Sequence, residues 1–314
     1  MAKNAESPGD AQASPGQNAD AAKVRWQAAG TKPQSDVPFF VGMGLSSSIF
    51  VLLILALLIA DLMFVTIEDF RRELFKPEIR FAISLTLQSC TLAALLSLLV
   101  AIPLGYLLSR FRFPLASVVD TIVEVPVVLP PLVLGLSLLI LFNTPLGGWL
   151  SGDPAPKPEA SPWKLETWLR EHGFPVTYHW RAVVLAQFAV ACAFAVRTMR
   201  VTFDQIPARA EDVARTLGCS RATAFFRIAL PQAWRGVIAA GTIAWARSLG
   251  EFGPIMVFAG ATRMKTEVLS TSVFLELSVG NLNAAVAVSL LMVFIALLVL
   301  TILRVVSSRQ FSRS

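Results

Sequence analysis

Arg247 and Glu251 constrain this chain most, because they stand four residues apart inside AWARSLGEFGPIMVFAG, an otherwise apolar run. Four residues is close to one helical turn, so a guanidinium and a carboxylate at that spacing can meet. At a rise of about 1.5 Å per residue, Arg247 lies about 20 Å along a helix from Trp234. A lone charge at such depth in a bilayer costs at least about 2.5 kcal/mol and needs a partner. Glu251 is the nearest in sequence, and Asp120 and Glu124 in a separate apolar run are further candidates. The pair either fixes how helices pack or edges a polar route that opens and closes. Ser248, Gly250 and Gly253, followed by Pro254, would let the helix bend or approach a neighbour closely, as a gate requires.

A second unusual set is Pro126, Pro130 and Pro131, which follow Glu124 in EVPVVLPPLVLGL. Each proline removes a backbone donor, and freed carbonyls at membrane depth are tolerated only inside protein or beside a water-filled cavity. This segment is therefore a candidate wall of a pathway, or a kinked packing helix. Other chemistry has little to build on. No G-x-x-x-x-G-K-[ST] sequence occurs, so a nucleotide would have to be bound by another polypeptide. No nucleophile and base set stands on suitable loops, and His172 and His179 are the only histidines, so neither catalysis nor a metal site is expected. Cys90, Cys192 and Cys219 are far apart and read as packing residues.

These residues need membrane helices to position them. Hydrophobic residues make up 55% of the chain, charged ones 15%, and the mean hydropathy is +0.63, the balance of an all-α integral membrane protein. The net charge of +6 gathers beside apolar spans instead of forming a stripe on a soluble fold, which argues against a nucleic-acid partner. Six transmembrane helices are expected, at about 44–65, 83–108, 118–142, 182–196, 237–259 and 284–305. Residues 1–38, poor in aliphatic side chains, read as a disordered cytoplasmic tail, and 39–314 as the membrane domain. The charged stretch between the first two spans reads as a periplasmic loop, and the Gly/Pro-rich 143–178 connection with its tryptophans as interfacial. With both termini inside, 16 of the 27 Lys and Arg fall on the cytoplasmic side, including seven from Arg197 to Arg235, which satisfies the positive-inside rule.

Between the fourth and fifth spans lies FDQIPARAEDVARTLGCSRATAFFRIALP, residues 203–231, too charged to sit in lipid. Two short helices are expected there: one from about Ala208 to Leu217, stopped by Gly218, and one capped by Ser220 that runs to Pro231. Val213 and Leu217 form an i, i+4 apolar edge with the charges pointing elsewhere, the shape of a docking element.

The spacing of Glu211, Asp212, Val213, Ala214, Leu217 and Gly218, then Ile228, Leu230 and Pro231, resembles the EAA loop of permease subunits in ATP-binding-cassette importers. Asp212 stands where that family usually has Glu, and Val213 where it usually has Ala. In that family the loop is the coupling helix, which docks on a separate ATPase. The runs ARSLGEFGPIMVFAG and EVPVVLPPLVLGL further resemble molybdate and sulfate permeases, with Pro254 replacing a usual small residue. The resemblance implies a type I importer permease fold with a cytoplasmic coupling helix, in the bacterial inner membrane. It also implies a permease homodimer, an ATPase dimer that binds ATP and Mg, and an extracytoplasmic oxyanion-binding protein. No cofactor is expected in this chain. Molybdate is the substrate it suggests first, with sulfate or tungstate as alternatives. A transporter driven by ion gradients would also account for the intramembrane charges, but would leave the 203–231 spacing without a purpose.

Overall fold

Long apolar segments must satisfy every backbone group internally when they cross lipid, and helices do so. In the computed structural model, which describes residues 36–144 and 164–311, all regular elements are helical. The helices are α1 (Val37–Phe64), α2 (Ile67–Leu74), α3 (Pro77–Arg110), α4 (Ala116–Val128), α5 (Pro131–Asn143), α6 (Leu165–Glu171), α7 (Trp180–Gln205) and α8 (Arg209–Thr216). They continue with α9 (Arg221–Ala224), a π-helical turn (Phe225–Ala229), α10 (Leu230–Gln232), α11 (Trp234–Leu249), α12 (Gly253–Phe258), α13 (Leu269–Ser278) and α14 (Leu282–Phe311).

By length and composition α1, α3, α7 and α14 can each cross a membrane, and α4 with α5 makes a fifth candidate span bent by 113°. The expectation of six simple spans is corrected at two places. The 118–142 span breaks at Leu129 and Pro130, because Pro130 and Pro131 cannot donate and the residue before a proline is pushed out of the α region. The 237–259 span ends as α11 at Leu249 and restarts as α12 at Gly253. The short 182–196 span is in fact 26 residues long and carries Arg197 and Arg200 on the helix, not beyond it. Part of the expected loop before the second span is the amphipathic helix α2, whose Phe70 and Leu74 pack on the core. Pro103 is accommodated inside the continuous α3.

The helix α1 as far as Ala60 belongs to a separate compact unit, and the helix exposes large apolar side chains along its length, as a lipid-facing helix does. Of the expected 1–38 tail, residues 1–35 lie outside the described residues, as do 145–163 of the Gly/Pro-rich connection with Trp149 and Trp163. In the second unit α3 and α7 are the centre. Their facing surfaces are built of small residues, with Ala82, Ser97, Ala101 and Gly105 on α3 and Ala186, Ala191 and Ala195 on α7 all buried. Without a hydrophobic drive between helices in lipid, such surfaces allow the close backbone approach that holds a bundle together. The helices α11 and α14 complete this core, and a second cluster joins Phe142 of α5, Val183 of α7 and Ile255 and Phe258 of α12.

Candidate functional site

The elbow between α7 and α11 is fastened by a half-buried cation. Arg110, the last residue of α3, donates from its two terminal nitrogens to the Phe203 carbonyl at 2.9 Å and the Ile206 carbonyl at 2.8 Å. At the end of α7 the Phe203 carbonyl accepts only the Ile206 amide, at 3.1 Å, and helix-end carbonyls carry partial negative charge, so a guanidinium there caps the helix. The Arg110 Nε donates to Glu211 Oε1 at 3.0 Å, and the Tyr106 hydroxyl donates to Glu211 Oε2 at 2.6 Å. Glu211 is 6% exposed. Three elements are thus tied at one point: the end of α3, the end of α7 and the first turn of α8. The Tyr106 ring also packs on Phe203 and Phe225, with centroids 5.4 and 4.6 Å away.

With Glu211 and Ala214 turned inward, α8 presents its other face to solvent: Val213 is 51% exposed and Leu217 is 80% exposed. Asp212 is exposed and stands 3.7 Å from Arg215. Gly218 stops α8 with φ +92°, a left-handed conformation that residues with a Cβ adopt at a cost. Ser220 then caps α9 by accepting from the Thr223 amide at 3.2 Å. Glu211 lies off the Val213 and Leu217 edge, and its carboxylate turns inward as the anchor of α8. Ile228 and Leu230 are half-buried and belong to the scaffold, while Pro231 is exposed. The helix also runs past Pro231: a π-turn over Phe225–Ala229 precedes it, and α11 begins at Trp234. Cys219 is exposed in this turn and is not a packing residue.

The second place is the break after α11. Arg247 reaches Glu251 at 2.8 Å, an electrostatic contact whose N–H direction falls outside hydrogen-bond geometry. Glu251 is 1% exposed, whereas the Arg247 side chain is 35% exposed and lies over the Phe194 ring at 5.6 Å. The Ser248 carbonyl, freed where the helix ends, accepts from the Gly250 and Glu251 amides and from Gln187 Nε2 of α7 at 3.2 Å. Ser270 Oγ donates to the Glu251 carbonyl at 2.7 Å. Unwound backbone at this depth is thereby stitched by polar side chains from other segments, as irregular structure in a membrane requires.

The two broken spans meet. A Cβ on Gly253 would stand 2.9 Å from the Cβ of Pro131, and one on Gly135 would stand 2.8 Å from the Cα of Pro254. The helix α5 therefore rides directly on α12, and of the expected gate residues Pro131 and Gly253 meet in this joint, while Pro130 caps the start of α5 and Gly250 the end of α11. Glu124 and Asp120 do not join it as partners of Arg247. Asp120 pairs with Arg200 of α7, and Glu124 is exposed on α4, a helix with no fully buried residue. Pro126 is half-buried within α4. Among the described residues no group of three or more His, Cys, Asp or Glu could hold a metal ion.

The family model described as the inner membrane component of binding-protein-dependent transport systems matches residues 101–312. The chain belongs to that family. It is a multi-pass permease of the inner membrane and not an enzyme. The sulfate transport permease CysT of Escherichia coli is 28% identical over 86% of this chain and 93% of its own length. The molybdenum transport permease ModB of Mycobacterium tuberculosis is 32% identical over 71% of this chain and 78% of its own. Such relatives place the chain among the ATP-binding-cassette importer permeases of the sulfate and molybdate group. The fold agrees with the crystal structure of a bacterial alginate ABC transporter in complex with an alginate pentasaccharide-bound periplasmic protein, at 18% identity and TM-score 0.67 over 87% of this chain and 95% of that one.

Within this permease, sequence reasoning missed Tyr106, Arg110, Gln187 and Gly135. In the sequence Arg110 is one charge among several at a span end, and Gln187 is a single polar residue in an apolar run. Only the contact between segments far apart in sequence gives them a task.

Proposed function

We propose that this permease forms the translocation pathway for molybdate and couples it to a separate ATPase through α8. The observation that carries the coupling is the anchored Glu211 beneath an outward edge of Val213 and Leu217. An apolar i, i+4 edge on a water-facing helix suits a groove on a partner, and the rigid tie through Arg110 to α3 and α7 would carry its movement into the membrane. The partner ATPase dimer binds ATP and Mg, two copies of this permease make the pore, and an extracytoplasmic oxyanion-binding protein delivers the anion. Both termini lie in the cytoplasm, the apolar spans face lipid, and the joint of α5 with α12 beside Arg247 is the gate.

Molybdate is favoured by the 32% identity of the molybdenum permeases against 28% for the sulfate ones. Sulfate is the second reading, supported by the longer match to CysT, over 86% of the chain. Vesicles that hold the complete complex, offered radiolabelled molybdate, tungstate and sulfate in turn, decide between them. ATP-dependent uptake of molybdate ahead of sulfate is the expected result; sulfate ahead of molybdate overturns the substrate, and uptake of none overturns the oxyanion reading.

A further inference from the structure

A tightly wound strap, residues 260–268, joins the far end of α12 to α13. The Lys265, Thr266 and Glu267 amides all donate to the Thr262 carbonyl, at 3.0 to 3.1 Å, and Thr266 Oγ1 donates to the Gly260 carbonyl at 2.9 Å. Gly260 has φ +70° and Met264 φ +59°. For Met264, which has a Cβ, the left-handed conformation is strained and persists only while the surrounding structure imposes it. Tyr178, at φ +56°, places its ring 3.4 Å from where a Cβ on Gly260 would stand. The strap is thus wound under strain and tied through Thr266 to the end of the gate helix.

Next to Thr266 stands Glu267, 1% exposed. The charged groups facing it are Arg263 of its own strap, Glu276 of α13 and Glu78 at the start of α3, so two carboxylates and one cation surround it. Arg263 is committed to Glu276, Nη2 to Oε1 at 2.8 Å, and Asn281 Nδ2 donates to the other Glu276 oxygen at 3.2 Å. The nearest amides go elsewhere: Val268 donates to Thr271 Oγ1 and Leu269 to Thr86 Oγ1. Glu267 Oε2 is buried without a partner, and Oε1 has Ser272 Oγ at 2.8 Å. That hydroxyl also lies 3.1 Å from the Val268 carbonyl, yet it has one proton for two acceptors. A proton on Glu267 Oε1 resolves the conflict. Glu267 then donates to Ser272 Oγ, Ser272 donates to the Val268 carbonyl, and the orphaned Oε2 belongs to a neutral acid, which costs far less to bury than a carboxylate. Burial lifts the Glu267 pKa, and Glu276 and Glu78 act the same way against Ser272 and Arg263. Lys265, the other cation of the strap, is exposed and acts on His179.

We propose that Glu267 is a proton-binding site whose proton latches the strap onto α12, and that loss of the proton draws Arg263 from Glu276 to Glu267 and lets the strap unwind from Gly260. This rests on the topology proposed above, which puts the strap outside the cell, so the proton exchanges with the extracytoplasmic medium. An acid whose pKa is raised in the closed arrangement stabilises that arrangement at low pH and ceases to do so as pH rises through the raised value. The latch is therefore shut in acid and loosens toward alkaline pH. Once open, the strap no longer restrains the end of α12.

The test uses the complete complex in vesicles whose extracytoplasmic face is outward. Val268, 1% exposed beside Glu267, is replaced as Val268→Cys and labelled from outside with an impermeant maleimide. Each rate is corrected for the complex without that substitution and divided by the rate of a free thiol at the same pH. With Glu267 in place the normalised rate rises by up to about tenfold per pH unit between about pH 5.5 and about pH 8, since one proton is linked to opening. With Glu267→Gln, which keeps the neutral shape, it stays flat. The same pH dependence in both, or no labelling at any pH, overturns the latch. A second measurement needs no cysteine: the melting temperature of the purified Glu267→Gln complex gains on that of wild type as pH rises, and a constant difference overturns the proton site. ATP-driven uptake by Glu267→Gln stays at the acid rate of wild type at every outside pH, and uptake at the alkaline rate overturns the latch. The expected pH dependence seen only with a reagent on the opposite face overturns the topology and leaves the proton site standing.

Discussion

Replacing Glu211 with alanine is expected to loosen the elbow and uncouple the permease. The substitution removes the acceptor of the Tyr106 hydroxyl and of the Arg110 Nε while the Arg110 side chain stays 12% exposed. A hydrogen bond to a charged group contributes about 1.5 to 3 kcal/mol, and leaving a buried charge without its partner costs about 3 to 5 kcal/mol. Arg110 keeps the Phe203 and Ile206 carbonyls, so the lower end, about 3 kcal/mol, is the appropriate value. At 1.4 kcal/mol per factor of ten, that is about a 150-fold rise in local opening. Hydrogen exchange of the amides from Phe203 to Leu217 in the assembled complex reads it directly, and uptake per ATP hydrolysed reads its consequence. Glu211→Gln, which keeps an acceptor for Tyr106 but loses the charge, falls between. Tyr106→Phe keeps the ring packing on Phe203 and Phe225 and completes a double-mutant cycle with Glu211. Exchange in Glu211→Ala within twofold of wild type would refute the idea that this tie holds the elbow.

Three further outcomes are expected. At Gly218 a Cβ would meet nothing within 4 Å, so the cost of Gly218→Val is the positive φ alone, about 1 to 3 kcal/mol, and Gly218→Asn is better tolerated; uptake per ATP hydrolysed should rank glycine above asparagine above valine. Arg247→Met strands Glu251, which is 1% exposed, and lowers the melting temperature of the purified complex, whereas Arg247→Met with Glu251→Gln recovers part of it. Gly253→Val drives a branched side chain into Pro131, already 2.9 Å from the Cβ position, and lowers both melting temperature and uptake more than Gly253→Ala does.

Composition and spacing alone determined that this chain is helical, lies in a membrane and carries a charged elbow at 203–231, because lipid enforces apolar runs of spanning length and excludes clustered charge. They also located Gly218, whose turn is a local backbone property, and the Arg247 and Glu251 pair, whose i, i+4 spacing is local too. What lay beyond them was set by contacts between distant segments. That Glu211 points inward follows from Arg110 and Tyr106, about a hundred residues earlier in the chain. That Asp120 serves Arg200 and not Arg247 depends on where the broken third span comes to rest against α7. The proline run announced a disturbance, but a 113° bend and a restart against Gly253 required a second broken helix with a glycine to receive it. Periodicity reports one helix at a time; the partner of a buried charge is decided by which backbones can approach.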